Sequence, residues 1–293
     1  MQGVVQNRAR MKTVNGGVQT LSIAGRPLVW LTPGHSAGKG PERGCLPRWL
    51  LHRCGFGVAR VTGWNILCDF DGTISVEDVI DSLLDRFGRP GWEALEQDWR
   101  AGRIGSRECM SGQVALLDVS GEELDEHLDG LWIDHAFPHF VTRATELGAP
   151  IRIVSDGLDY AIDRILGRYG LNHLPLAANH LAPGTPPRQW QLTSPFQNAG
   201  CRSGTCKCAC VAQAREGGAK TLLIGDGASD FCAADQVDFV FAKHRLIEHC
   251  RAAGIAYVPI TGFEDALELL PRLLDGSLLA EHEPRVLPAV SNF

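Results

Sequence analysis

The chain has 293 residues, 44% of them hydrophobic, and a formal net charge of −6. That is enough apolar sequence for one large domain, or for a domain carrying an inserted second unit. The acidic balance argues against general nucleic-acid binding, and no apolar run reaches the roughly 18 residues of a bilayer-crossing helix. Neither nucleic acid nor membrane is an expected partner, and a cytoplasmic protein is the expectation.

Charge is spread unevenly. Residues 1–60 hold nine Lys or Arg against one acid, Glu42, while the remainder holds nineteen against thirty-three. A shift of that size marks a boundary near residue 60. The basic segment is rich in Gly and keeps no sustained period of 3.6 or 2, so it reads as a disordered or non-native extension. A transit-like leader, a basic arm and sequence upstream of the true start all fit it.

From residue 61 the pattern is α/β. Trp64-Asn65-Ile66-Leu67-Cys68 is a short apolar run, as in a buried parallel strand, and it ends in Asp69-Phe70-Asp71-Gly72-Thr73. Residues 76–148 read as helices almost throughout. Val79, Ile80, Leu83, Leu84 and Phe87 recur at helical spacing, and Ser120 with Glu123 has the spacing of a capping box. Trp92, Trp99 and Trp132 read as the core of this block, with room for one of them to line the pocket. Strands resume at Ile151–Val154, running into Ser155-Asp156-Gly157, and a helix follows at about 158–169. Segments near 176–182 and 188–194 flank Pro183-Gly184-Thr185-Pro186-Pro187, a hairpin signal. A helix starts near Cys206. Thr221–Ile224 is a strand ending at Gly225-Asp226-Gly227-Ala228-Ser229-Asp230, and Val237–Phe241 is another. Helices near 244–252 and 262–274 complete the pattern, and 281–293 is a tail.

Alternating strands and helices predict a three-layer, Rossmann-like parallel sheet, built from 61–75 and 149–280. The helical block 76–148 is then a cap inserted above the carboxyl edge of the sheet, where open α/β sheets bind ligands.

Three strand ends converge on that edge. They bring Asp69 and Asp71, then Ser155 and Gly157, then Asp226 and Asp230, with Lys207 at a helix start between the second and third. Several carboxylates in one pocket repel one another unless a cation is present. Magnesium suits such a site, being hard and oxygen-preferring. With it bound, a carboxylate can attack a phosphoryl group, and a neighbouring Asp that keeps its proton can serve the leaving group. Ser155, the amides of Asp156 and Gly157, and Lys207 can bind phosphate oxygens. A calcium loop is excluded by Thr73, which stands where Asp or Asn is required. A dinucleotide fingerprint is excluded by Asp230, which replaces the third glycine.

These residues resemble the four motifs of the haloacid-dehalogenase-like hydrolases, over about residues 64–270. The resemblance implies that Asp69 is nucleophile and metal ligand. It makes Asp71 the general acid/base and a ligand through its carbonyl. Ser155 and Lys207 then bind phosphate, Asp226 ligates Mg2+, and Asp230 supports the metal site. The helical insertion is similar to the cap of the phosphoserine-phosphatase-like branch. Gly204-Thr205-Cys206-Lys207, Ile153–Gly157, Phe241-Ala242-Lys243 and His249-Cys250 look most like the methionine-salvage phosphatases. Those act on 2-hydroxy-3-keto-5-methylthiopentenyl-1-phosphate. Phosphoserine phosphatases usually carry Ser where Gly72 stands and a cap Glu near the position of Asp78.

The implied function is magnesium-dependent hydrolysis of a small phosphorylated metabolite. A phosphoserine phosphatase, a phosphotransferase and a phosphate-binding scaffold without turnover are the alternatives. Asp78 either faces a polar substrate group or is a solvated first-turn residue. Cys201, Cys206, Cys208 and Cys210 are packing thiols or a metal or disulfide group.

Overall fold

The computed structural model describes residues 63–282 and three strands within residues 11–31. The chain divides into two units, Met1–Phe56 and Gly57–Phe293. In the first, β1 (Met11–Val14), β2 (Val18–Ile23) and β3 (Arg26–Leu31) form an antiparallel sheet. Here the chain differs from the expectation of a segment without ordered elements. Asn15-Gly16-Gly17 and Ala24-Gly25 separate short runs rich in β-branched and apolar residues, a hairpin signal that the charge pattern overshadowed. The rest of the expectation for 1–60, and most of the 281–293 tail, lie outside the described residues.

The second unit is built on a seven-stranded sheet. Its strands are β4 (Trp64–Cys68), β5 (Ile151–Leu158), β6 (Leu176–Pro183), β7 (Trp190–Thr193), β8 (Lys220–Gly225), β9 (Phe239–Ala242) and β10 (Tyr257–Pro259). The spatial order is β10-β9-β8-β4-β5-β6-β7. Every neighbouring pair is parallel except β6 and β7, the expected hairpin.

Side-chain alternation divides the interior in two. Ile66, Cys68, Ile153, Leu222, Ile224, Phe239 and Phe241 point into one core. Their sequence neighbours Leu67, Val154, Leu223, Val240 and Ala242 point into the other. Burial on both faces is why these strands read as continuous apolar runs. Full burial of each Leu, Ile or Phe contributes about 1.5–3 kcal/mol before the entropy of ordering is set against it. Helices α6 (Asp159–Gly167) and α10 (Phe263–Leu274) supply the first core. Helices α7 (Lys207–Ala214), α8 (Phe231–Ala234) and α9 (His244–Ala253) supply the second. A final helix, α11, spans Ser277–His282.

After β4 the chain leaves the sheet for α1 (Val79–Phe87), α2 (Trp92–Arg100), α3 (Ser106–Ala115) and α4 (Gly121–Asp129). Ser120 caps α4 through the expected box: its Oγ accepts from the Glu123 amide at 3.2 Å, and its own amide donates to Glu123 Oε2 at 2.9 Å. The insertion is shorter than 76–148. An isolated antiparallel bridge joins Ser75 to Ile133. Around it the Val76 amide donates to the Trp132 carbonyl and the Asp134 amide to the Ile74 carbonyl. The excursion therefore closes at 132. Helix α5 (Phe137–Glu146) belongs to the sheet layer, because Phe137 and Phe140 pack on Phe263 with ring centroids 4.8 and 5.2 Å apart. Helix-forming sequence lies on both sides of this boundary, which is why a reading of 76–148 as one helical block runs past it. Trp132, expected in the cap core, is 68% exposed beside the bridge.

Candidate active site

The motif loops meet at the carboxyl edge of β4, β5 and β8, beneath the insertion. They line a cavity of about 440 Å3. Asp69 follows β4 directly and is buried. Its Oδ1 accepts the Phe70 amide at 2.8 Å, and its Oδ2 lies 2.8 Å from Lys207 Nζ and 3.4 Å from Ser229 Oγ. Lys207 is the first residue of α7 and is 2% exposed. It also reaches Asp230 Oδ1 at 2.6 Å and Ser229 Oγ at 3.1 Å. Burial by itself would lower the lysine's pKa, but the charges of Asp230 and Asp69 outweigh it and hold the group above its ordinary value. Lys207 is therefore a fixed cation clamped between two buried carboxylates.

Asp230 uses both oxygens. One takes Lys207 and the other accepts the amides of Asp226 and Gly227 at 3.1 and 3.3 Å. It thus shapes the β8 loop. Asp226, partly exposed to the cavity, accepts from Thr73 Oγ1 at 3.3 Å. Carboxylate oxygens of Asp69, Asp226 and Asp230 lie within 4.8 Å of one another. Burial first, and Asp230 second, raise the pKa of both Asp69 and Asp226. Gly72 closes the cradle. It has φ +67°, and a Cβ there would stand 2.8 Å from Asp226 Oδ2, so only glycine lets the 69–73 loop approach Asp226 this closely. An all-oxygen set of clustered carboxylates with raised pKa values suits a hard divalent cation.

Asp71 projects from the same loop. Its Oδ1 accepts the Val79 amide at 3.0 Å, at the start of α1, and its Oδ2 accepts from Ser155 Oγ at 3.3 Å. Burial, and then Asp78, raise its pKa to about 7. A carboxyl group poised there can give and take a proton near neutrality.

Ser155-Asp156-Gly157 occupy an irregularity in β5, where pairing with β6 shifts register between Val154 and Leu158. Such bulges turn backbone groups out of the ladder. The Gly157 amide donates to Ser155 Oγ at 2.9 Å. A Cβ at Gly157 would lie 2.3 Å from Asp71 Oδ2, so this glycine also sits against the site. The Asp156 carboxylate turns away, accepting the Thr205 amide at 2.8 Å and the hydroxyl of Ser106.

Asp78 is the N-cap of α1, its carboxylate accepting the Asp81 amide at 3.1 Å. It stands in the cavity wall and is exposed. Desolvation by the packed wall around it, and Asp81 next, raise its pKa to about 6. Trp99, Met110 and Ile80 give the same wall an apolar portion. Lys243 is a contributor the sequence did not assign. Its Nζ donates to the carbonyls of Gly72 at 2.9 Å and Thr73 at 3.2 Å, pinning the loop that carries Asp69 and Asp71. Its signal was the Phe241-Ala242-Lys243 stretch, noted only for its likeness. Of the four cysteines, Cys210 packs in the second core. Cys201, Cys206 and Cys208 are free thiols, and among the described residues no thiols gather into a metal-sized group.

A family model described as haloacid dehalogenase-like hydrolase matches residues 66–235. The chain belongs to that family. The hydrolase is 30% identical over 213 residues to the 2-hydroxy-3-keto-5-methylthiopentenyl-1-phosphate phosphatase of Geobacillus kaustophilus (strain HTA426), covering 71% of this chain and 96% of that one. It is 29% identical over 220 residues to the protein of the same name from Lysinibacillus sphaericus (strain C3-41), covering 72% and 95%. Among solved structures, a substrate-bound phosphoserine phosphatase complex matches with a TM-score of 0.55 at 17% identity, over 69% of this chain and 96% of that one. A hydrolase of the same family from Salmonella enterica serovar Typhi matches with a TM-score of 0.56 at 19% identity, over 70% of each chain. At those identities the structures establish the fold. Family and relatives together make this hydrolase a phosphatase, as the four motifs implied. Among the described residues no helix is long and apolar enough to cross a membrane.

Proposed function

We propose that this phosphatase cleaves a small phosphomonoester through an aspartyl-phosphate on Asp69. The observation that carries the reading is one loop presenting two carboxyl groups in different settings. Asp69 is ion-paired to Lys207, and Asp71 titrates near 7. Asp69 attacks phosphorus while the bond to the ester oxygen breaks, and Asp71 gives its proton to that leaving oxygen. Asp71 then takes a proton from the water that attacks the phosphoryl group, releasing phosphate and regenerating Asp69. Ser155 and Lys207 bind phosphate oxygens, with the amides of Asp156 and Gly157 beside them. Asp69, Asp226 and the Asp71 carbonyl would hold magnesium, with Asp230 fixing the Asp226 loop; bound there, the ion would supply positive charge to offset that of the carboxylates and the phosphate.

The substrate proposed is 2-hydroxy-3-keto-5-methylthiopentenyl-1-phosphate, the compound in the relatives' names. The cavity supports it. Trp99, Met110 and Ile80 offer an apolar surface for a thioether tail, and Asp78 can accept a hydrogen bond from a substrate hydroxyl. Phosphoserine fits less well, because its carboxylate would meet Asp78, Asp81 and Glu96, and the Arg100 guanidinium already holds Glu96 at 2.7 Å. The eight free thiols among the described residues, from Cys68 to Cys250, suit a reducing cytoplasm.

The test is phosphate release from the methylthio-ketopentenyl ester, phosphoserine and a generic aryl phosphate, with magnesium and with chelator. The ester should be preferred, and chelator should abolish turnover. Full activity in Asp69→Asn would sink the mechanism, and a preference for phosphoserine would sink the substrate.

A further inference from the structure

The insertion touches the sheet domain at a polar seam whose side chains, that of Asp156 included, have no part in the reaction just described. Gly105, before α3, is buried, and a Cβ there would lie 2.4 Å from the Arg202 carbonyl. The Arg107 amide donates to that same carbonyl at 3.1 Å. Arg202 returns the contact, its guanidinium donating to the carbonyls of Gly102 and Arg103 at 3.1 and 3.0 Å. Arg107 also reaches Gln197 Oε1 at 2.6 Å. Residues 102–107 of the insertion are thus zipped onto the loop that leads into α7.

Asp156 stands at the inner end of this seam. One carboxylate oxygen accepts from Ser106 Oγ, the first residue of α3, which faces the cavity. The other accepts the Thr205 amide at 2.8 Å and Asn179 Nδ2 at 3.3 Å. Asn179 Nδ2 also donates to the Asp156 carbonyl at 2.6 Å, and its Oδ1 accepts from Ser194 Oγ at 2.7 Å. A Cβ at Gly204 would lie 2.2 Å from Asn179 Oδ1, so this loop is seated against Asn179 without slack. Thr205 is two residues before Lys207. One carboxylate therefore ties the insertion to the backbone that aims the phosphate-binding lysine.

We infer that Asp156 is a positioning residue, coupling the seat of the insertion on the cavity wall to the placement of Lys207. The Ser106 arm holds the start of α3 in the wall, while the Thr205 arm keeps the lysine loop in register. The two arms do different work, so they are separable. The inference rests on the phosphatase reading for its kinetic arm only, because amide exchange reports on the seam without turnover.

The experiment measures an aryl phosphate with magnesium, together with amide hydrogen exchange, in Ser106→Ala, Asp156→Ala, Asp156→Asn and Ser106→Ala/Asp156→Ala. Ser106→Ala should raise KM three- to tenfold with kcat within about twofold, and lose protection in 102–107 only. Asp156→Ala should lower kcat at least tenfold and lose protection in both 102–107 and 203–207. Asp156→Asn keeps an acceptor for Thr205 and offers a donor to Ser106, so kcat should stay within about threefold of the native protein. The double variant should match Asp156→Ala within twofold, since both changes cut one link. The inference is overturned if the two single effects multiply, if Asp156→Ala leaves exchange at 203–207 unchanged, or if its loss of activity lies in KM alone. A native protein inactive on the aryl phosphate would count against the phosphatase reading, and exchange at 203–207 would still decide the role of Asp156.

Discussion

Replacing Lys207 with Met tests the electrostatic frame of the site. Lys207 is 2% exposed and lies 2.8 Å from Asp69 and 2.6 Å from Asp230, which are 4% and 0% exposed. Methionine fills most of the volume but leaves two buried carboxylates without their cation. Removing one partner of a buried ion pair costs about 3–5 kcal/mol, a large share of the roughly 5–15 kcal/mol that holds a domain together. With a urea m-value of about 2–3 kcal/mol/M, the unfolding midpoint should fall by about 1–2.5 M. The measurement is urea unfolding in chelator, so that no divalent cation compensates. The loss should shrink with acid. Asp69, whose folded pKa burial raises above the unfolded value near 3.9, opposes folding while ionised, and acidification toward that value relieves it. In the native protein Lys207 already balances part of this charge, so the variant gains more stability between pH 8 and pH 5. A midpoint shift under 0.5 M, or one equal at both pH values by about a tenth, would refute the argument.

In the proposed mechanism Asp71 must carry its proton to serve a poor leaving group, and burial followed by Asp78 raises its pKa to about 7. Turnover of an alkyl phosphate should therefore fall above about pH 7, and Asp78→Asn should move that limb to lower pH; a pH profile with an unmoved limb counts against the pairing. Asp71→Asn should slow turnover by about 10²–10⁴ while leaving attack by Asp69 possible, so rapid quench should trap phosphorylated protein. Gly72→Ala meets both a positive φ of +67° and a Cβ contact of 2.8 Å with Asp226. The backbone part alone costs about 1–2 kcal/mol, and calorimetric titration should show weaker magnesium binding; unchanged affinity would contradict the cradle. Phe263→Ala removes the ring on which Phe137 and Phe140 pack. It should cost about 3–5 kcal/mol in thermal unfolding with KM unchanged, because α5 serves the sheet layer rather than the cavity.

Much of the site was legible because it is written in short contiguous motifs at strand ends. A buried parallel strand announces itself as an apolar run, and the polar residues after it must lie at the carboxyl edge. Asp69 and Asp71, Ser155 and Gly157, and Asp226 and Asp230 converge as that logic required. The Asp156 side chain was not legible. Its sequence neighbours assign it to the phosphate loop, but its carboxylate works toward Ser106 and Thr205, fifty residues before and forty-nine after. The limit of the insertion was also hidden. Helices α4 and α5 lie on either side of it, and the Ser75–Ile133 bridge and the Phe263 contact assign one to the insertion and the other to the sheet layer.

The sequence by itself determined the α/β fold, the place of the 69–73 loop at a strand end and the family, since each rests on local pattern: apolar runs of strand length and polar residues at fixed offsets. Tertiary structure decided what those residues become. Burial and mutual repulsion raise Asp71 to about 7, Lys207 is locked between carboxylates 23 and 138 positions away in the chain, and Gly72 proves indispensable for its distance to Asp226. Those properties depend on separations of a few ångströms between distant segments, and such separations exist only once the sheet has brought its strand ends together.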